Sequence, residues 1–364
     1  MTTLALLALG VMHGPVLEAV PPARLERLSK GANVCRWFRY PANDNVGHYM
    51  AYITDPEMKA MRAMGLRHVR LTLHPQHIFD TRTGDIVESK WMHIMNAVDR
   101  FIAHDLAVLF DIHNEDQAAI QTKAWQDNFV KFWDTASKRL AAKNPEMLFL
   151  EFVNEPVFDN REAEWFALQE RLHAVIRKNA PNHTLMGTGP NWGGIDGLRK
   201  LTPLKDGNVV YSFHCYEPFP FTHQGATWSS ENVKPLRNVP YPSSPEAVAP
   251  LLAGLPQDAR ETLAWYGEER WGRKKLSERF GQAIEWGKKH GVPLYCGEFG
   301  VFPPYAPEAS RAAWFKDFGE ILAENKVGWA VWGWDEGFGL NRQMKDGKPV
   351  WDAVVARSLG LKAP

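Results

Sequence analysis

The chain has 364 residues, 45% of them hydrophobic, and its 42 Lys plus Arg are balanced by 42 Asp plus Glu. That length and apolar content suit one large domain or two modest ones around a sizeable core, and exclude a disordered or fibrous chain. With no net charge and no basic run, nothing would track nucleic-acid phosphates or anionic lipid, so neither nucleic acid nor membrane is an expected partner.

The N-terminal segment, residues 1–30, carries an apolar run over residues 3–12. The run is long enough for a signal-peptide core and too short to span a bilayer, and no Lys or Arg precedes it. Together with the enzymatic reading below, it leads to the expectation of a secreted or periplasmic protein.

From residue 31 onward, short runs rich in β-branched and aromatic residues recur. They predict strands at Ala32–Phe38, His68–Leu73, Ala107–His113 and Met147–Asn154, then at Thr184–Gly189, Val209–Tyr216, Pro293–Phe299 and Gly328–Trp334. Amphipathic stretches alternate with them: Lys90–His104, Ala124–Ala142, Ala163–Asn179, Glu278–His290 and Ser310–Asn325. One stretch closes on Lys288-Lys289-His290-Gly291, with basic residues in the last turn and Gly behind, which is a helix stop. Strands alternating with helices make an α/β protein with a parallel sheet, and eight such units point to a closed (β/α)8 TIM barrel filling residues 31–364 as a single domain.

The spacing is even except after the sixth strand. A long insertion there, over about residues 217–280, holds Phe219, Phe221, Trp228, Tyr241, Trp265, Tyr266 and Trp271. It far exceeds the usual βα loop of about 2–6 residues plus its helix. It emerges where a barrel enzyme keeps its active site, either as part of the cleft or as a packing cap. The three cysteines, Cys35, Cys215 and Cys296, are too few and too scattered for a disulfide framework. No CxxC or HExxH spacing occurs, so no metal site is expected.

In a barrel, chemistry belongs to residues at the C-terminal ends of the strands. The fourth run ends Asn154-Glu155-Pro156 and the seventh ends Gly297-Glu298-Phe299-Gly300, each placing a carboxylate where a hydrophobic strand stops. A pair of carboxylates about 5–5.5 Å apart is what retaining glycoside hydrolysis requires. Other strand ends carry Arg70, His113, His214, Tyr216, Trp332 and Trp334. Singly, each is more often structural; their convergence on one rim is the stronger signal.

The runs LEFVNEP, HCYEP, YCGEFG and GWAVWGWDEGFGL together resemble glycoside hydrolase family 5, the cellulase family A. The likeness spans roughly residues 31–340. It implies Glu155 as catalytic acid/base and Glu298 as nucleophile. By the same resemblance Asn154 binds the substrate 2-hydroxyl, Arg70 lies beneath the nucleophile, and His113 and His214 line the cleavage subsite. Tyr216 would donate to the nucleophile, Trp332 would form the floor under the sugar, and Trp334 is a further aromatic of the substrate-binding set. The chain departs from the family in reading His113-Asn114 where many members carry a second His, in Cys215 between His214 and Tyr216, and in its longer loop after the sixth strand.

These readings lead to a retaining endo-β-1,4-glucanase acting on β-linked polysaccharide, with hydrolysis of mannan, xyloglucan, β-1,3-glucan or a small β-glycoside as the alternative. A carbohydrate-binding barrel without catalysis is a distant third, since both carboxylates are present. No Gly-rich phosphate loop follows the seventh or eighth strand and no Lys is placed there for a Schiff base, so no cofactor is expected.

Overall fold

The structure, a computed structural model, describes residues 19–346 and 348–362. The apolar run at residues 3–12 lies outside the described residues. Eight parallel strands close into a barrel in sequence order: β1 Gly31–Phe38, β2 His68–Leu73, β3 Ala107–Ile112, β4 Leu148–Glu151, β5 Leu185–Thr188, β6 Val209–His214, β7 Leu294–Glu298 and β8 Gly328–Val331. Closure comes where Gly31 and Ala32 pair with Ala330 and Val331. The predicted TIM barrel is the fold observed.

A helix follows every strand: α1 Asp55–Met64, α2 Glu88–Ala103, α3 Lys123–Leu140, α4 Glu162–Asn179, α5 Ile195–Lys200, α6 Arg273–His290, α7 Glu308–Glu324 and α8 Ala353–Ser358. Local chemistry marks their ends. Thr54 and Glu57 form a reciprocal capping box that opens α1, and Gly65 closes it at φ +104°. The basic turn of α6 ends at Gly291 with φ +66°, the stop read from the sequence. Helix α3 buries Trp125, Phe129, Phe132 and Trp133 against the barrel wall, each contributing about 1.5–3 kcal/mol of burial.

Side chains alternate across each strand. On β3, Val108, Phe110 and Ile112 pack outward with the helices, whereas Ala107 and Leu109 join Phe149, Met186, Val210, Tyr295 and Ala330 in an apolar plug inside the barrel. Above that plug the inward positions turn polar: Asn33, Arg70, Asp111, Glu151 and His214, all buried. The lower half of the barrel interior is thus apolar packing and the upper half a buried polar and charged layer.

The bottom is closed by residues ahead of the expected domain start. Val20 and Leu28 enter the apolar plug, and the helix Pro22–Arg27 bears the buried Arg24, which donates to Glu146 Oε1 at 2.9 and 2.7 Å and to the Asn182 carbonyl at 2.6 Å. Within residues 20–30, Val20, Arg24 and Leu28 thus pack against the bottom of the barrel.

Two strands end earlier than their apolar runs. β4 stops at Glu151 and β8 at Val331, so Asn154, Glu155, Trp332 and Trp334 lie on the loops beyond. Beyond those ends Glu155 takes φ +37°, outside the extended range, and the Trp332–Gly333 peptide is cis.

The insertion precedes α6 and carries the short helices Phe219–Thr222 and Pro245–Val248 and the longer Gln257–Glu268. Its Phe221, Tyr241, Tyr266 and Trp271 are buried and join the same apolar cluster as the outer face of the barrel and its helices. Tyr241 OH donates to Asp317 Oδ2 on α7 at 2.8 Å, and the buried Gln224 bridges the Phe221 and Val239 backbones. Among the described residues, no helix is long and apolar enough to cross a membrane.

Candidate active site

The barrel mouth opens into a cleft of about 640 Å³ whose lining includes His113, Glu155, His214, Tyr216, Glu298 and Trp332. Arg70 and Asn154 lie just beneath, 0% and 3% exposed. These eight of the nine residues singled out in the sequence come together. The ninth does not: Trp334 is wholly buried, packed against Trp351 with ring centroids 4.7 Å apart, and it takes no part in the cleft lining. The turn beyond β8 sends Trp332 and Trp334 to different sides, one to the mouth and one to the core.

Glu298 ends β7 with both carboxylate oxygens engaged. Oε1 accepts from Arg70 Nη1 at 2.8 Å and Oε2 from Tyr216 OH at 3.0 Å. Gly297 makes this approach possible, because a Cβ there would sit 2.8 Å from both His214 Nε2 and Ser212 Oγ. Glu155 Oε1 lies 2.7 Å from His214 Nδ1. The Glu155 backbone carbonyl accepts from Gln117 Nε2 at 3.0 Å, which helps hold its left-handed backbone in place.

The two carboxylates lie close. Glu155, His214 and Glu298 each place a polar atom within 4.8 Å of the others. Such a triad also has the reach to ligate a metal ion, but both Glu298 oxygens are already taken by hydrogen bonds, and the Arg70 guanidinium would oppose a cation beside them.

Burial pushes both carboxyls up to about 7, and the negative charge of Glu155 adds to the rise at Glu298. The pair titrates together. Within it, Arg70 and Tyr216 favour the ionised form of Glu298. Glu155 is hydrogen-bonded to His214, whose own affinity for a proton is lowered by burial, and it feels the charges of Arg70 and Arg39 without a hydrogen bond to either. The direct hydrogen bonds thus weight the negative charge toward Glu298 and the proton toward Glu155.

Below the pair, Arg70 is held by a set of acceptors. Glu151 takes Nε and Nη2 at 2.7 and 2.9 Å, Asp111 Oδ2 lies 3.2 Å from Nη2, and Asn154 Oδ1 and Asn33 Oδ1 take one hydrogen bond each. Burial raises Asp111 to about 6. Its Oδ2 accepts from His113 Nδ1 at 2.8 Å, and burial together with the nearby Arg39 and Arg70 charges keeps His113 neutral. That bond assigns the proton to Nδ1 and leaves Nε2 to accept from Asn154 Nδ2 at 3.2 Å.

Other residues of the site were not anticipated. Arg39, just past β1, spreads over Trp332 at 5.0 Å from the ring centroid and pairs with Glu115 and Glu336. His113 stacks on the same Trp332 ring at 5.3 Å. Trp192 stands 56% exposed on the cleft rim, raised there by three successive left-handed residues, Asn191, Trp192 and Gly193. Such a turn costs roughly 1–2 kcal/mol for each non-Gly residue. The insertion supplies Phe219, His223 and Trp228 to the same cleft, so it is both packing cap and cleft wall.

The family model described as cellulase (glycosyl hydrolase family 5) matches residues 28–337. Endoglucanase C of Acetivibrio thermocellus is 27% identical over 335 residues, covering 89% of this chain and 96% of that protein. Two solved structures of the endoglucanase Cel5A of Thermotoga maritima, one in complex with cellobiose and one with mannotriose, align with TM-scores of 0.73 and 0.74 at 25% identity. Each alignment covers 92% of this chain and 98% of the solved one. The chain belongs to the cellulase family, glycosyl hydrolase family 5, and is a glycoside hydrolase.

Proposed function

We propose that the protein is a retaining endo-β-1,4-glucanase in which Glu298 is the nucleophile and Glu155 the acid/base. The observation that carries this reading is the contrast between two adjacent carboxyls: Glu298 held by a cation and a hydroxyl, Glu155 facing a neutral imidazole. A polar atom of each lies within 4.8 Å of the other, which supports the close pair of direct attack, with carboxyls about 5–5.5 Å apart, rather than the wider pair of water activation.

In the first step Glu298 attacks the anomeric carbon from one face while Glu155 protonates the departing glycosidic oxygen. A covalent glycosyl-enzyme forms. Glu155, now ionised, removes a proton from the incoming water, whose oxygen displaces Glu298 from the sugar. Trp332 offers a flat apolar face for the sugar at the cleavage point. Asn154, oriented by Arg70 and His113, binds the 2-hydroxyl, a bond that strengthens toward the transition state. The substrate is a β-linked glucan met outside the cell, a location supported by the apolar N-terminal run and by the polymeric substrate itself.

A second reading, β-mannan hydrolysis, draws on the Thermotoga maritima relative in complex with mannotriose. Reducing-sugar release from carboxymethylcellulose, barley β-glucan, glucomannan, galactomannan, xylan, xyloglucan and laminarin separates the two, with Glu298→Gln run alongside. Activity on the first two that vanishes in the variant supports the glucanase. Activity on galactomannan alone replaces the substrate and keeps the mechanism, and activity that survives Glu298→Gln refutes the nucleophile.

A further inference from the structure

Beside the catalytic cleft the insertion forms a second hollow of about 420 Å³ between Phe219 and Trp265, with Asn232, Thr262 and Glu261 among its polar lining. We infer that this hollow is a distal sugar-binding groove, which takes the part of a β-glucan chain that runs on past the cleft. The inference deepens the proposed function and rests on it for the identity of the glycan.

The first observation is how the insertion divides its aromatic residues. Phe221, Tyr241, Tyr266 and Trp271 are buried and tie the insertion to the main core. Phe219, Trp228 and Trp265 stay 42%, 63% and 49% exposed. On the helix Gln257–Glu268, Ala259, Leu263 and Tyr266 make the buried face, and Trp265 is left in solvent, where folding gains little from it. Trp228 lines the catalytic cleft, whereas Phe219 and Trp265 share the second hollow, and exposed aromatics on one concave surface mark a binding site rather than scattered surface apolarity.

The second observation is continuity. Phe219 and Ser230 line both hollows, so the groove begins where the catalytic cleft ends. A polymer lying in the cleft meets the Phe219 edge next, and Trp265 stands beyond it.

Chemistry selects the occupant. The lining holds no cation, and its one charged side chain is Glu261, so an anionic ligand is disfavoured. Asn232 Nδ2 donates to Thr262 Oγ1 at 2.8 Å, which fixes an amide and a hydroxyl side by side between two aromatic rings. Flat apolar faces with a few fixed hydroxyl-bonding groups suit a neutral pyranose, whose C–H faces stack while its hydroxyls exchange hydrogen bonds.

The test uses the Glu298→Gln chain, which holds sugar without turnover in the proposed mechanism, with and without Trp265→Ala. Affinity electrophoresis reads binding to barley β-glucan and glucomannan; calorimetry reads cellotriose, which is short enough for the cleft alone. The expected result is at least fivefold weaker binding of the long glycans with Trp265→Ala, cellotriose binding within twofold, an unchanged melting temperature, and most of the loss restored by Trp265→Phe. Equal loss on long and short ligands, or no loss on either polymer, overturns the groove. Failure of the functional reading shows separately, as absence of wild-type turnover on every β-1,4-glycan, and these binding measurements decide the groove in that case too.

Discussion

Arg70 Nη1 donates to Glu298 Oε1 at 2.8 Å from a position that is itself 0% exposed, so the guanidinium acts on Glu298 from inside the barrel rather than from the cleft. The same cation also serves Glu151 and Asp111. One positive charge is thus divided among three carboxylates, and the share left for Glu298 sets how firmly its ionised form is held. Had Arg70 faced Glu298 alone, that carboxylate would be a weaker base and a weaker nucleophile. In the proposed mechanism, its two competitors keep it reactive at neutral pH.

Replacing Glu151 with Gln tests this division. The loss of one negative charge returns more of the Arg70 field to Glu298, whose pKa falls. The acid limb of the kcat/KM profile is then expected to move down by about half to one pH unit, with kcat lowered several-fold as the nucleophile weakens. An acid limb that stays in place, or moves up, would show that Glu151 only props Arg70 mechanically.

The wild-type profile is expected to be a bell centred near neutral pH. Burial raises both carboxyls to about 7, so the acid limb stands above the ordinary glutamate value and the alkaline limb follows loss of the Glu155 proton. Tyr216→Phe removes the donor from Glu298 Oε2 and so destabilises the carboxylate. A hydrogen bond to a charged group contributes about 1.5–3 kcal/mol, which shifts the acid limb upward by about one to two pH units. Kinetics on an activated aryl glycoside from pH 4 to 9 would read it, and a moved alkaline limb instead would mean that Tyr216 serves Glu155.

The eight strands were legible because strands buried on both faces read as continuous apolar runs, and a parallel barrel buries every strand that way. Seven of the eight residues that come together were legible because each lies at or shortly past a strand end; the eighth, Arg70, was read at the end of its run, but it stands within β2 and reaches the site from below. What stayed hidden depends on closure. Glu151 and Asp111 sit inside runs that looked uniformly structural, and only the closed barrel brings them onto Arg70 from neighbouring strands. Arg39 stands one residue past an apolar run whose end was read at Phe38. Trp192 reaches the rim through a left-handed turn that few sequence signals announce. Trp334 misled for a related reason: two Trp residues two apart share a strand face, but β8 stops at Val331 and the chain bends between them.

The buried acid also has a stability cost with a definite pH window. Glu155 titrates near 4.5 unfolded and at about 7 folded. Between those values the folded chain holds a proton that the unfolded chain has released, so stability falls as pH rises through the window. Glu155→Gln removes the titration and is expected to raise the melting temperature relative to wild type by a margin that grows from pH 5 to pH 8. The full effect is at most about 3 kcal/mol. A margin that does not change with pH would mean that Glu155 is ionised in the fold at little cost.

The paired tryptophans beyond β8 separate packing from chemistry. Trp334 is wholly enclosed and leans on Trp351, so Trp334→Ala leaves a large cavity and is expected to cost about 3–5 kcal/mol of stability. Trp334→Phe, which refills most of that space, should regain wild-type kcat/KM once folded. Trp332 faces the cleft under Arg39 and beside His113, so Trp332→Ala should lower kcat/KM about 100-fold through lost positioning while changing the melting temperature less. Thermal denaturation and steady-state kinetics on the same four proteins, wild type included, decide the matter. If Trp334→Phe were as damaged in kcat/KM as Trp332→Ala, the core tryptophan would have to be holding the cleft tryptophan in place, and the two could no longer be treated as independent.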